Sequence, residues 1–236
     1  MSKVEMMNVS IDGKKAKVEP GKTILEAARS VGIDIPFICL SEVTTAEGIC
    51  RQCVVEVEGW GRLAPACITP ATDGLVVKTA SERVIRARRT ILEMLNASVD
   101  ISRSPALQKQ MEFYKANPQR FPGAKKREKE LLDDNPFYVR DYSQCILCWR
   151  CVQACADDMQ YTYALGLGGR GHDSQITTFY EFPMPETTCV FCGNCVAVCP
   201  TKALQDKTEY LEEKGFQHHE IRARRRQERQ EKRSKS

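Results

Sequence analysis

Long apolar runs are missing from this chain of 236 residues. No stretch of about 18 apolar residues occurs, so we expect no membrane-spanning helix. The first ten residues lack a basic end followed by an apolar run, and we therefore expect no secretory signal peptide. The chain also offers no strand followed by G-x-G-x-x-G, the motif with which a Rossmann fold binds a dinucleotide. These absences argue against membrane-spanning, secreted and dinucleotide-binding proteins.

Charge is nearly balanced over most of the chain. The formal net charge is +4, but residues 220–236 alone hold eight Arg or Lys against three Glu, which leaves the rest near −1. This tail contains no aromatic side chain that could stack on a nucleic-acid base. We therefore expect the tail to be a solvated end that docks on an acidic partner subunit, and we expect no nucleic-acid partner.

Cysteine is the residue type that the chain has in excess. Twelve cysteines fall into three sets of four, and none is left over. Without a secretion signal, so many cysteines indicate metal ligands rather than disulfides, and a reducing, cytoplasmic compartment. Four soft thiolates per site suit iron–sulfur clusters or zinc. The sets are Cys39, Cys50, Cys53 and Cys67; Cys145, Cys148, Cys151 and Cys155; and Cys189, Cys192, Cys195 and Cys199.

The region before the first cysteine set has clear secondary-structure signals. Residues 4–11 and 14–18 are weakly alternating runs joined by Asp12-Gly13, which predicts a β-hairpin. Thr23 is the predicted N-cap of a helix that Gly32 closes. A hairpin, a helix and then a cysteine loop is an order typical of a β-grasp ferredoxin.

The first set has the spacing C-x10-C-x2-C-x13-C, which departs from the plant-type ferredoxin pattern. Gly48 lies just before Cys50 and permits backbone amides to approach the sulfur atoms. Residues 54–57 and 75–77 are β-branched runs that would complete the sheet. We predict a [2Fe-2S] cluster at this set. Zinc is the alternative, although zinc sites usually pair two short C-x2-C knuckles.

The second and third sets form an internal repeat, because each reads C-x2-C-x2-C-x3-C. This is the bacterial two-cluster pattern, in which the fourth cysteine of each run ligates the other cluster. The repeat, and Pro200 directly after the last cysteine, argue against two zinc ions. We therefore assign one [4Fe-4S] cluster to Cys145, Cys148, Cys151 and Cys199, and another to Cys189, Cys192, Cys195 and Cys155.

The segment between the first and second sets is more polar. Residues 81–96 predict a helix, whereas residues 100–135 are polar and interrupted by prolines, Pro105 among them. We expect the charge run at residues 125–130 to be a solvated helix face. The apolar face predicted for the first helix consists of Val84, Ile85, Ile91, Leu92 and Leu95.

A spacer at residues 156–188 separates the second and third sets. Its glycine-rich segment, residues 166–171, could cradle a phosphate, but no strand precedes it and no helix follows it. We expect a mobile loop there. His172 lies beside it, and we expect it to be solvated and not a ligand.

Several of these motifs resemble one family. They match the N-terminal iron–sulfur region of the large complex I subunit, a module shared with the diaphorase subunit of NAD-linked hydrogenases, iron-only hydrogenases and NAD-linked formate dehydrogenases. The resemblance covers residues 4–96 and 135–205. It is carried by residues 35–39 (IPFIC), 48–57 (GICRQCVVEV), 64–67 (APAC), 135–141 (NPFYVRD) with the run to Cys155, and 188–201 (TCVFCGNCVAVCPT).

The chain departs from this family in three ways. Members usually carry a His-x3-Cys-x2-Cys-x5-Cys site after the helix ending near Asn96, but here no cysteine lies between Cys67 and Cys145 and no histidine before His172. We expect that middle cluster to be absent. Trp149 stands where the family commonly has glycine, and we expect it to shield a cluster from water. We expect no catalytic domain, because only a charged tail follows the ferredoxin part in this sequence.

The sequence and the resemblance together predict an α+β protein that transfers electrons. We expect a β-grasp [2Fe-2S] ferredoxin domain (1–80), a helical or extended connector (81–134), a two-cluster [4Fe-4S] ferredoxin-like domain (135–208) and a basic tail (209–236). No residue is predicted to be catalytic, and no flavin or NAD to be bound directly.

The resemblance implies a place in a cytoplasmic, multi-subunit NAD(P)H-dependent oxidoreductase. One partner would be a flavoprotein subunit that binds NAD(P)H. The second would be a hydrogenase, a formate dehydrogenase or an electron-bifurcating transhydrogenase. The alternatives are a free ferredoxin-like carrier and a zinc-stabilised binding module.

Overall fold

The computed structural model describes residues 6–234 of the chain. The expectations for residues 1–5, including the start of the first predicted strand, and for residues 235–236 of the basic tail lie outside the described residues. Two compact units are present. The first extends to Lys126 and also contains Cys148–Arg150, whereas the second comprises Arg127–Leu147 and continues from Cys151.

A β-hairpin opens the first unit. Strand β1 (Met7–Ile11) pairs antiparallel with β2 (Lys14–Val18). Asp12 and Gly13 between them have positive φ angles of 47° and 81°, as a two-residue type I′ turn requires. The predicted hairpin is confirmed, with its turn at the predicted pair.

Helix α1 (Ile24–Ser30) begins at a capping box. The Thr23 hydroxyl accepts a hydrogen bond from the Glu26 N–H at 3.2 Å, and the Glu26 carboxylate accepts one from the Thr23 N–H at 2.8 Å. Each bond satisfies a backbone donor that the first helical turn leaves free. The predicted N-cap is confirmed, and Gly32, with φ 71°, follows the helix where its end was predicted.

Three further strands complete a five-stranded sheet: β3 (Val54–Val57), β4 (Ala64–Pro65) and β5 (Val76–Lys78). The strand order is β2-β1-β5-β3-β4, with β5 parallel to β1 and antiparallel to β3. Strand β5 begins one residue later than the sequence predicts. The sheet and α1 enclose one apolar core, to which the candidate ligands Cys53 and Cys67 also belong.

Two helices follow the sheet. Helix α2 (Glu82–Ser98) confirms the helix predicted over residues 81–96. Helix α3 (Pro105–Phe113) begins at a proline. Pro105 was expected to interrupt regular structure, but at the first turn of a helix the missing N–H has no intrahelical partner to lose.

The buried face of α2 carries two charged residues where only apolar ones were predicted. Arg88 donates hydrogen bonds to the Val54 carbonyl oxygen at 2.8 Å and to the Tyr114 hydroxyl at 3.0 Å. Glu93 accepts one from Arg120 at 2.6 Å. Such partners make the burial of a charge tolerable. Of the predicted face, Val84 and Leu92 are buried, whereas Ile85, Ile91 and Leu95 are half-buried.

The second unit contains the third cysteine set and three of the four cysteines of the second set, and its elements are short. Strand β6 (Tyr138–Arg140) pairs antiparallel with β9 (Leu204–Asp206), and β7 (Gly166–Gly168) pairs antiparallel with β8 (Gln175–Thr177). The helices of this region are α4 (Arg150–Cys155), α5 (Asn194–Ala197), α6 (Lys207–Glu213) and α7 (His218–Ser234).

Two expectations about the polar segments are wrong. Residues 125–130 contain no helix, and Arg127 among them is buried because its guanidinium hydrogen-bonds to a backbone carbonyl. Residues 166–171 were expected to be a mobile loop, but they include strand β7 of a hairpin. The glycines of this strand have no side chains, so the alternating pattern of a strand is not visible in the sequence. Gly168 is needed because a Cβ at this position would lie 2.6 Å from the Thr177 Cγ2.

The basic tail is helical over α7. Ile221 of this helix is buried, and Arg225 donates a hydrogen bond to the Thr208 hydroxyl of α6 at 2.8 Å. Among the helices within residues 6–234, none is long and apolar enough to cross a lipid bilayer.

Candidate iron–sulfur centres

The first cysteine set converges in the first unit. Cys39 and Cys50 lie in the loop between α1 and β3, Cys53 directly precedes β3, and Cys67 follows β4. The Sγ atoms of Cys53 and Cys67 are 3.3 Å apart, and the Cys39 thiol hydrogen-bonds to those of Cys50 and Cys67. Cys50 is half-buried and the other three are buried. The structure therefore groups all four candidates.

Hydrogen bonds among these thiols separate their pKa values. Bonds from Cys50 and Cys67 lower the pKa of Cys39, and a bond from Cys67 lowers that of Cys53. The pKa values of Cys50 and Cys67 are raised, in both cases chiefly by their hydrogen bonds to Cys39. The opposite directions of these pKa shifts follow from the close approach of the four thiols to one another.

Left-handed backbone shapes the loop of the first set. Gly48 has a φ of 63° and Arg51 a φ of 57°. A Cβ at Gly48 would approach the Ile68 Cδ1, the flexible end of an exposed side chain, to 2.7 Å, so this position favours glycine chiefly for its φ. The resulting turn directs the Gln52 N–H at the Cys50 sulfur, and the Cys39 N–H donates to the same sulfur at 3.4 Å.

The second and third sets lie in loops with the same backbone conformation. The Leu147 N–H donates to the Cys145 Sγ at 3.4 Å, and in the other loop the Phe191 N–H donates to the Cys189 Sγ at 3.4 Å. Leu147 and Phe191 have φ angles of 56° and 55°. The internal repeat of the sequence is therefore also a repeat of local structure.

Trp149 and Gly193 occupy equivalent positions in these two loops. Their φ angles are 73° and 80°. This left-handed region favours glycine, which explains why a glycine is common at the position that Trp149 takes. Trp149 is half-buried. The expectation that its indole shields a cluster from water stays a prediction.

Cys155, the last residue of α4, lies with the third run. It lines one cavity together with Cys189, Cys192 and Cys195. Burial raises the pKa of the Cys195 thiol to about 12, and the neighbouring Cys155 acts in the same direction. The Ala164 N–H donates to the Cys155 Sγ at 3.3 Å. The fourth cysteine of one run thus meets the first three of the other.

The second set is more deeply buried than the third. Cys145, Cys148 and Cys151 are buried, whereas Cys192 is exposed. Burial raises the pKa of the Cys145 thiol to about 11, and the neighbouring Cys199 acts in the same direction. Cys199 therefore lies near Cys145, although the sequence places it in the third run.

Two residues beside the cysteines were not singled out from the sequence. The Tyr138 hydroxyl lies 3.1 Å from the Cys189 Sγ, and burial, followed by this hydrogen bond, raises the pKa of the phenol. Arg127 donates to the Cys145 carbonyl oxygen at 2.9 Å. Tyr138 lies within the 135–141 motif. Arg127 is part of a charge run, and charge runs are usually solvated.

The donor set fits iron–sulfur clusters. It consists of soft thiolates, and in each set at least one backbone N–H is directed at a ligand sulfur, as cluster-binding loops require. The convergence of the cysteines is not close enough for a single metal ion. Across residues 6–234, no three His, Cys, Asp or Glu side chains lie near enough to one another to hold one.

Comparison with known proteins gives two matching families. Residues 4–82 match a 2Fe-2S iron–sulfur cluster binding domain, and residues 144–203 match a 4Fe-4S dicluster domain. The NADP-reducing hydrogenase subunit HndD of Solidesulfovibrio fructosivorans is 37% identical over 220 residues, which cover 88% of this chain. The mitochondrial 78 kDa subunit of NADH-ubiquinone oxidoreductase from Candida albicans is 33% identical over 209 residues, which cover 85%.

The chain spans 37% and 28% of the length of these two relatives. The chain covers a larger share of a chain in one solved structure. One chain of the crystal structure of an NAD+-reducing [NiFe]-hydrogenase in the H2-reduced state superimposes with a TM-score of 0.77 at 31% identity, covering 85% of this chain and 87% of that one. The protein therefore belongs to the iron–sulfur subunits of NAD(P)H-linked oxidoreductases, the family that includes the 78 kDa subunit of NADH-ubiquinone oxidoreductase and subunits of NAD(P)-linked hydrogenases.

Proposed function

We propose that the chain relays electrons as the iron–sulfur subunit of a multi-subunit NAD(P)H-linked oxidoreductase. The observation that carries the proposal is the convergence of thiols from all three cysteine sets, with the fourth cysteine of each later run beside the other run. One [2Fe-2S] cluster is held by Cys39, Cys50, Cys53 and Cys67. Two [4Fe-4S] clusters are held by Cys145, Cys148, Cys151 and Cys199, and by Cys189, Cys192, Cys195 and Cys155.

The domain boundaries in this proposal are those that the sequence predicts. A β-grasp domain occupies residues 1–80, and its five-stranded sheet with α1 packed on it supports that assignment. A connector follows at 81–134. A ferredoxin-like domain occupies 135–208, supported by its paired cysteine loops, and a basic tail at 209–236 docks on an acidic partner. Twelve cysteines kept as ligands suit the reducing cytoplasm.

In this proposal the residues of the chain bind the clusters and set their reduction potentials, and none of them is catalytic. A bound cluster takes up and releases one electron at a time. The cysteines supply the thiolates, and the backbone amides of Leu147 and Phe191 point at ligand sulfur. Burial of the first and second sets excludes water, which keeps the hydrogen bonds to their own sulfur atoms strong. No residue acts as acid, base or nucleophile, and no flavin or nicotinamide binds directly.

Exposure of the third set indicates where electrons are exchanged. Cys192 is exposed, and Val190 beside it has 56% of its surface exposed. An apolar rim beside a cluster ligand suits the docking of a redox partner. One partner is a flavoprotein that binds NAD(P)H, and the other is a hydrogenase, formate dehydrogenase or bifurcating transhydrogenase. The names of the relatives support this partnership.

Iron and sulfide analysis after anaerobic reconstitution tests the proposal. We expect about ten iron atoms per chain, from one two-iron and two four-iron clusters. About fourteen would mean that a further four-iron cluster is present with ligands other than these twelve cysteines. Zinc in place of iron would establish a zinc-stabilised binding module instead. Native size then separates a complex subunit from a free carrier, because a carrier would migrate as the single chain.

Turnover with NAD(P)H tests the non-catalytic role. Hydride transfer needs a flavin or a nicotinamide site, and one-electron clusters do not accept a hydride. We expect no NAD(P)H oxidation by the pure, cluster-loaded, flavin-free chain with an artificial acceptor, and activity after addition of a flavoprotein subunit. Steady-state turnover by the chain alone would show that it is a catalytic subunit.

A further inference from the structure

Arg127 places a buried cation beside the second cysteine set. Its side chain is 8% exposed, and its Nη1 donates to the Cys145 carbonyl oxygen at 2.9 Å. The neighbouring Lys126 is exposed. Of two adjacent cations, the chain therefore buries one against a candidate cluster ligand and leaves the other in solvent.

Among the described residues, the buried charge of Arg127 has no acidic partner. Within the part of the chain that the structure describes, no carboxylate lies within ion-pairing distance of its guanidinium, and its Nε is buried without a hydrogen-bond partner. Other buried cations of the same unit do have such partners. Arg140 pairs with Asp134, and Lys207 pairs with Asp133 at 2.8 Å.

A buried cation without a counter-charge is unfavourable, because burial removes its hydration. The Cys145 set supplies a counter-charge once it is ligated, since four thiolates outweigh the positive charge of the iron–sulfide core they hold. One-electron reduction adds a further negative charge to that group. A fixed cation nearby stabilises the reduced form more than the oxidised form.

We propose that Arg127 is a positioning residue that raises the reduction potential of the four-iron cluster ligated through Cys145. The inference rests on the proposed function, since it requires that ligation. The connector segment, expected to be a solvated spacer, then takes part in setting the driving force of electron transfer. The third set receives a neutral donor instead, the hydroxyl of Tyr138.

EPR-monitored redox titration of the full chain, reduced by dithionite through mediators, tests this. The variants are Arg127→Met, which removes the charge, Arg127→Lys, which keeps it, and Lys126→Met, which removes an exposed charge. The Cys145→Ser variant identifies the relevant signal by its loss. We expect Arg127→Met to change the ratio of oxidised to reduced cluster at fixed potential by about tenfold towards oxidised, a fall of about 59 mV. Lys126→Met should leave the reduction potential unchanged, and Arg127→Lys should lower it by much less than Arg127→Met does.

One set of results would refute the proposed function, and another would refute only the role of Arg127. If the unmodified chain shows no four-iron signals, the proposed function fails. If the clusters load but Arg127→Met titrates like the unmodified chain, or Arg127→Lys falls as far as Arg127→Met, only this inference fails. Should Arg127→Met not load its clusters, Arg127→Gln replaces it, since its side chain is uncharged but polar. A potential for Arg127→Gln equal to that for Arg127→Lys then refutes the role of charge.

Discussion

Replacing Tyr138 with phenylalanine tests how one hydrogen bond sets the potential of the cluster that we assign to Cys189. Tyr138 lies in β6 with 3% of its surface exposed, and its hydroxyl oxygen is 3.1 Å from the Cys189 Sγ. A ligating cysteine is a thiolate, so the hydroxyl is the donor. Reduction makes the ligand sulfur more negative and strengthens this bond. Loss of the donor should therefore lower the reduction potential.

The magnitude follows from the strength of such a bond. A hydrogen bond to a charged group contributes about 1.5–3 kcal/mol. The potential depends on the difference between the two redox states, for which we take about a third, or ~0.5–1 kcal/mol. For one electron this corresponds to a fall of about 20–40 mV. The ring itself is retained, and with it the packing on Phe191, whose centroid is 6.0 Å away.

The assay is a potentiometric titration of the reconstituted chain followed by EPR. Tyr163→Phe is the matched control, because it removes an exposed hydroxyl from the same unit. We expect one four-iron signal to shift in Tyr138→Phe and none to shift in the control. An unchanged potential, or a shift confined to the signal that Cys145→Ser abolishes, would refute the assignment of this donor to the Cys189 cluster.

Three further predictions follow from the sites. Cys155→Ser and Cys195→Ser should abolish the same EPR signal of the reduced protein, and Cys151→Ser the other; loss of one signal in both Cys151→Ser and Cys155→Ser would contradict crossed ligation. Gly48→Ala should destabilise the first cluster loop by about 1–2 kcal/mol, because of its positive φ, and speed loss of the two-iron visible absorbance; an unaltered rate would count against it. Arg88→Met should destabilise the protein by about 2–4 kcal/mol, because it leaves two buried acceptors unpaired; thermal unfolding measures this, and an unchanged Tm would contradict it.

Features that depend on neighbours in the sequence were predictable. The turn at Asp12-Gly13 and the cap at Thr23 follow from the conformational preferences of a few adjacent residues, and both are present. The grouping of the cysteines was predictable for the same reason, since a C-x2-C run fixes which thiols can share a loop. The sequence therefore identified the loops that converge.

Features that depend on distant contacts were not predictable. Arg88 is buried because of a carbonyl 34 positions away, and Tyr138 faces a sulfur 51 positions away. Arg127 lay in a charge run whose spacing resembles a solvated helix, and only its contact with Cys145 reverses that interpretation. Strand β7 was missed because its glycines have no side-chain pattern to read.

The pairing of β6 with β9 has a consequence for how the segment between these strands can be joined to other parts of a polypeptide. Tyr138 lies opposite Asp206, and the stretch between these strands holds eight of the twelve cysteines. A segment whose two ends meet behaves as a cassette, because additional chain can be joined at either end without passing through its interior. Such a cassette can be retained in polypeptides of very different length. The whole matched region, of which this segment is one part, makes up 37% of one relative and 28% of another.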